Sequence, residues 1–140
     1  MKTKSLFNQS QTKKNLEAAF AGESMANRKY LYFARVARAL GDEEVAKVFE
    51  ETANQETEHA LSHLSLIYPK ESLTVEKLLE IAIEGERYEH TTMYPGFEKN
   101  ALQEASQDAA REFAEQAAES KEHDERFTKT LELARKGSQL

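Results

Sequence analysis

Glu23 and Glu56 stand 33 residues apart, and so do Glu86 and Glu119; His59 follows Glu56 by three positions and His123 follows Glu119 by four. Each acid falls in a stretch whose apolar or small residues recur every three or four positions, the period of a helix that buries one face. Glu23 lies within the Leu16, Phe20, Tyr30 stripe, Glu56 and His59 continue the Phe49, Thr52 line, and Glu86 and Glu89 fall between Ala82 and Met93. A single glutamate so placed usually stands at the edge of its stripe with its head in water. Several ionised carboxylates drawn into one interior need charge compensation, because each costs several kcal/mol to bury alone. The pattern therefore demands helices that gather their acids around cations.

The stop signals divide the chain into four helices. The first is expected from about Ser10 to Leu40, ended by Gly41; the second is capped by Asp42, runs to about Tyr68 and is ended by Pro69. Val45, Phe49, Thr52, Leu64 and Ile67 are expected on or beside its inner face. Residues 69–74 form the one internal linker, after which Thr74 caps a third helix with Val75, Leu79, Ala82 and Met93 inward. Pro95-Gly96 should kink or interrupt that helix, which resumes through Phe97 and Leu102. A polar corner at 106–108 precedes a fourth helix carrying Phe113, Gln116, Phe127, Leu131 and Ala134. Two helix pairs result, about 10–68 and 74–137, and a shift of 63 residues lays Glu23 on Glu86 and Glu56 on Glu119. Sparse matching elsewhere suggests pseudo-symmetry around one site rather than a repeat array.

Composition excludes several alternatives. The 140 residues suit one domain, and two prolines with five glycines favour long helices. The absence of cysteine removes disulfides, iron–sulfur clusters and thiolate catalysis. A formal charge of −6 without a basic run argues against nucleic acid, and two divalent ions would offset most of it. The start, MKTKSLFNQSQTKK, has no apolar leader core, and no segment nears the roughly 20 apolar residues that span a bilayer, so a soluble cytoplasmic protein is expected.

Carboxylates can bridge two ions, and imidazole adds a nitrogen ligand suited to iron, manganese or zinc. Glu-x-x-His keeps both side chains on one helix face, as Glu56 and His59 require. The residues thus read as a dinuclear metal site in an all-α four-helix bundle. His63, one turn beyond His59, and His90, beside Glu89 and off the inner stripe, are left outside the site.

FAGESMANRKYLYFA at 20–34, ETANQETEHA at 51–60 and EGERYEHTTMYPGF at 84–97 resemble the signature segments of rubrerythrins, the ferritin-like diiron proteins. The resemblance spans nearly the whole chain and implies a ferritin-like four-helix bundle with one long crossover, holding two iron ions. It implies Glu23 and Glu86 as terminal ligands, Glu56 and Glu119 as bridges, His59 and His123 as nitrogen ligands, and Glu89 as a carboxylate that exchanges with His59 as the iron changes oxidation state. Tyr30 and Tyr94 resemble the family's tyrosines beside the cluster, where a phenol can donate a hydrogen bond. The family generally closes its last helix with Glu-x-x-His, whereas Ser120 stands three before His123 here; a π-bulge or a role for Glu122 would reconcile the two.

The resemblance also implies a function. A non-haem diiron peroxidase would reduce hydrogen peroxide to water in oxidative-stress defence, with Glu89, Tyr30 and Tyr94 beside the reacting atoms. The chain resembles the short members of the family such as sulerythrin, which lack the rubredoxin domain, so electrons are expected from a separate donor such as a rubredoxin or another reductase. The alternative is a ferroxidase or iron-binding module without peroxidase cycling; a metal-free interaction bundle is a third reading. Manganese or zinc could substitute for iron. Exposed Tyr32 and Phe33 suggest a homodimer, and the linker at 69–74 would permit exchange of helix pairs between copies.

Overall fold

A computed structural model describes residues 10–138. The amino-terminal stretch read above for a leader lies, up to residue 9, outside the described residues. The described chain is helical, and it divides between Ser72 and Leu73 into two compact units, each a pair of helices.

The first unit contains α1 (Gln11–Ala39) and α2 (Glu43–Ile67). Ser10 caps α1 by accepting from the Lys13 N–H at 3.1 Å. At the other end Gly41, with φ of 87°, donates to Arg38 O, and Asp42 donates to Ala37 O. This paired closure uses a left-handed residue that glycine adopts without strain. Asp42 then accepts from the Val45 N–H at 3.0 Å and so starts α2. A short 3₁₀ turn at Lys70–Ser72 follows Pro69.

The second unit contains α3 (Val75–Tyr88), a π-helical turn (Glu89–Met93), α4 (Tyr94–Gln103) and α5 (Gln107–Ser138). Thr74 caps α3 as expected. The expected break does not fall on Pro95-Gly96. Pro95 sits in the first turn of α4, where its missing N–H is tolerated, and the wide turn precedes it, with the Tyr94 N–H reaching back to Glu89 O. A proline ring presses on the carbonyl four residues earlier, and widening that turn makes room for it. By contrast, α5 is continuous through 119–123, so the bulge considered for the last helix lies on the third instead.

Alanine, not valine, forms the packed seams. Ala34, Ala37 and Ala46 are buried beside Phe49, with Ala53 and Ala60 further along; Ile83, Ala101, Ala110 and Leu131 are buried in the second unit. Val45 and Val75, expected inward, are exposed. Val45 precedes buried Ala46 by one residue, about 100° round the helix, and Val75 is the first residue of α3. Small side chains let two helices approach closely, and that contact decides the rotation.

The two units match in a register that changes at the π turn. Before it, Phe20 and Glu23 correspond to Ile83 and Glu86, 63 positions on. After it, the offset is 64: Tyr30, Phe33 and Phe49 become Tyr94, Phe97 and Phe113. Phe33 and Phe49 lie 5.6 Å apart between ring centroids, and Phe97 and Phe113 lie 5.5 Å apart. Buried Ala37 and Ala46 likewise become buried Ala101 and Ala110, and Gly41 becomes Ala105, also left-handed with φ of 60°. The π turn absorbs the one-residue insertion between the halves.

Candidate metal centre

In the first unit α1 brings Glu23 against Glu56 and His59 of α2. His59 Nδ1 stands 3.4 Å from Glu23 Oε2 and 3.9 Å from Glu56 Oε2. One ligand atom from each lies within 4.8 Å of the others. The Glu56 side chain is 19% exposed, that of Glu23 29%. Behind them, Asn27 donates to Ala53 O and to Thr57 Oγ1, both at 2.7 Å, and so ties α1 to α2 one turn from Glu23 and beside Glu56.

The second unit repeats the contact. His123 Nδ1 stands 3.4 Å from Glu86 Oε2, and that oxygen is buried without a hydrogen-bond partner. A nitrogen and an oxygen held to one ion by bonds of about 2.0–2.2 Å lie roughly 3.0–3.4 Å apart, longer than the usual direct hydrogen bond of about 2.9 Å. The separations and the orphaned oxygen both suit a shared cation. The donor set of carboxylate oxygen and imidazole nitrogen fits a non-haem iron pair.

Glu89 lies on the π turn, and Ser120 donates to its Oε2 at 3.1 Å. Ser120 is buried and occupies the position that Glu56 holds in the 64-residue register. Laying Glu56 on Glu119 with a single shift of 63 thus fails after the π turn: Glu119 stands one residue away, at an exposed position on the stripe of His123, four residues on. Glu122 immediately precedes His123, about 100° round the helix. Tyr30 packs on Phe49 at 5.8 Å and Tyr94 on Phe113 at 6.2 Å, which holds both phenol rings.

His90 does more than the sequence reading allowed. Its Nε2 lies 2.8 Å from Asp124 Oδ2, which also accepts from Arg87 Nε, while Asp124 Oδ1 accepts from Arg87 Nη2. These bonds, first from Arg87 and then from His90, hold the Asp124 carboxyl down to about 2 from an ordinary 3.8. The available signal was spacing, since Arg87 and His90 are three apart and share a helix face. His63 keeps a buried Nδ1 without a partner.

Two helix hairpins, each presenting carboxylates and a histidine, define a helical protein with carboxylate–histidine donor sets of the kind that hold metal ions. The rubrerythrin family model matches residues 14–131. Rubrerythrin of Porphyromonas gingivalis is 36% identical over 140 residues, covering 92% of this chain and 70% of that protein. Rubrerythrin of Nitratidesulfovibrio vulgaris is 36% identical over 138 residues, covering 90% and 70%. A putative rubrerythrin of Methanocaldococcus jannaschii is 31% identical over 153 residues, covering 95% and 75%. Nigerythrin in its fully reduced, all-ferrous state aligns at 31% identity with 88% of this chain and 67% of its own, at a TM-score of 0.43.

The chain belongs to the rubrerythrin family. Its fold is accordingly all-α and ferritin-like, and membership of this family implies a non-haem diiron centre and oxidoreductase chemistry. Among the described residues no helix is long and apolar enough to cross a membrane.

Proposed function

We propose that the chain is a cytoplasmic diiron peroxidase that reduces hydrogen peroxide to water in defence against oxidative stress, with electrons from a separate donor such as a rubredoxin. The observation that carries this reading is the repeated 3.4 Å approach of a histidine Nδ1 to a half-buried glutamate, once in each helix pair. Glu23, Glu56 and His59 would hold one ion, and Glu86 and His123, with Glu119 on the same stripe as His123, would hold the other. The two sets could come from one chain or from two copies of a homodimer that exchange helix pairs. Exposed Tyr32 and Phe33 support pairing of copies.

When bound, the two irons supply the two electrons that cleave the O–O bond. The chain's residues do the rest. The carboxylates would offset the charge of the oxidised metals, and the Ser120 hydroxyl holds the Glu89 carboxylate on the π turn. Glu89 can carry a proton to the departing oxygen, and the Tyr30 and Tyr94 phenols can donate hydrogen bonds to it. Manganese or zinc would fit the same donors, but zinc, which has no redox chemistry, would not supply the two-electron step.

Anaerobic reduction of the iron-loaded protein, followed by one equivalent of peroxide or of oxygen, tests the reading. Oxidation much faster with peroxide is expected. Equal rates would sink the peroxidase role, and a requirement for free ferrous iron at each turnover would assign ferroxidase chemistry instead.

A further inference from the structure

Asp124 gathers residues that each follow a proposed ligand: Arg87 comes after Glu86, His90 after Glu89, and Asp124 itself after His123. Its side chain is 9% exposed, and both oxygens are fully engaged. Oδ1 accepts from Arg87 Nη2 at 2.9 Å and Thr128 Oγ1 at 3.0 Å; Oδ2 accepts from Arg87 Nε at 3.1 Å and lies 2.8 Å from His90 Nε2. A carboxylate held by this many charge-assisted and neutral donors cannot rotate without breaking several of them at once. It is a fixed point on α5.

The first unit has no counterpart. Ser24 and Asn27 stand where Arg87 and His90 do, and the residue after His59 is buried Ala60. Among its described residues that unit also has no π turn. The turn at Glu89–Met93 replaces regular backbone bonds with longer-range ones, so its side chains need an outside tie to keep their direction. His90 lies within the turn and Arg87 just before it, and both reach the same acid.

We infer that Asp124 is a positioning residue: acting through Arg87 and His90, it fixes the π turn against α5 and so orients Glu86 and His123 for their ion. The inference rests on the two-metal reading above. Groups that orient ligands in this way typically change metal affinity roughly 10- to 100-fold when removed. The effect should be one-sided, because Glu23, Glu56 and His59 are held by Asn27 and Thr57 instead.

Titration of the metal-free, full-length protein with cobalt(II), followed by its visible absorption bands, tests this. The unaltered protein should bind two ions per chain, and a failure there sinks the two-metal reading itself. D124N should keep one ion at the original affinity and bind the other roughly 10- to 100-fold more weakly, with changed bands for that ion alone. H90Q, whose amide can still donate to Asp124, should stay near the original, while H90F should follow D124N. H90F also serves if D124N fails to fold. Original affinities and bands in H90F or D124N, with only the melting temperature lowered, would overturn the inference, as would equal weakening of both ions.

Discussion

Ser120 donates its hydroxyl proton to Oε2 of Glu89 at 3.1 Å, joining the middle of α5 to the π turn. A hydrogen bond between a buried hydroxyl and a carboxylate contributes on the order of 1–2 kcal/mol, and Ala at position 120 leaves Glu89 with less to hold it. S120A should lose about 1 kcal/mol in urea denaturation of the metal-free protein. An unchanged midpoint would mean that Glu89 finds water equally well.

Asn27 makes a sharper case, because both of its partners are fixed. Its amide nitrogen donates to Ala53 O and Thr57 Oγ1 at 2.7 Å each. N27A should cost about 1–2 kcal/mol. N27D should cost more than N27A, since a carboxylate cannot donate and would face the Ala53 carbonyl with like partial charge. Thermal melts of the two variants decide it: N27D at or above N27A would contradict the assigned direction of the bonds.

At Ala105 the chain carries avoidable strain. Its φ of 60° is left-handed, and Ser106 and Ala105 donate back to Ala101 O and Leu102 O in the closure that Gly41 makes in the first unit. A β-carbon in that region costs roughly 1–2 kcal/mol, partly offset by the greater freedom glycine loses on folding. A105G should therefore stabilise by about 0.5–1 kcal/mol, read from denaturant midpoints, with metal content unchanged.

The helices were legible because their ends are chemically marked: Ser10, Asp42 and Thr74 at starts, Gly41 and Pro69 at stops. The approach of His59 to its acids was legible too, since Glu56 and His59 share a face by spacing alone. Rotation was less so. Periodicity follows large side chains, and here the close seams are made by Ala46 and its neighbours, which turned Val45 outward. Pro95 announced a disturbance but not its form, because the same missing N–H can be met by a kink or by a wider turn upstream. From that one turn followed the offset between Glu119 and the place of Glu56. Asp124 went unnoticed because its partners lie 37 and 34 residues away, and only the packing of α3 against α5 joins them.

Glu86 illustrates a conflict between stability and binding. Its Oε2 is buried without a hydrogen-bond partner, a cost that the metal-free protein bears. An amide of the same shape removes the charge, so E86Q should raise the metal-free melting point, by about 1 kcal/mol in stability. The same variant should lose much of the additional stabilisation that iron(II) gives under anaerobic conditions. Scanning calorimetry with and without iron(II) reads both effects, and a less stable metal-free E86Q would show that the oxygen is well solvated after all.

The Asp124 clasp sets how the protein meets acid. Its carboxyl is lowered to about 2 in the folded chain from an ordinary 3.8, chiefly by the Arg87 hydrogen bonds. A lowered acid pKa means that the folded state prefers the ionised form, so the contribution is complete above about pH 4 and is lost as pH falls toward 2. D124N removes the titrating group: it should be less stable at neutral pH by on the order of 1–2 kcal/mol, allowing for the water that screens the exposed Arg87. Between pH 4 and 2 its stability should fall less steeply than that of the unaltered chain, so the two curves converge. Urea midpoints across that range, taken without metal, measure the difference; parallel curves would mean that Asp124 titrates alike in the folded and unfolded chains.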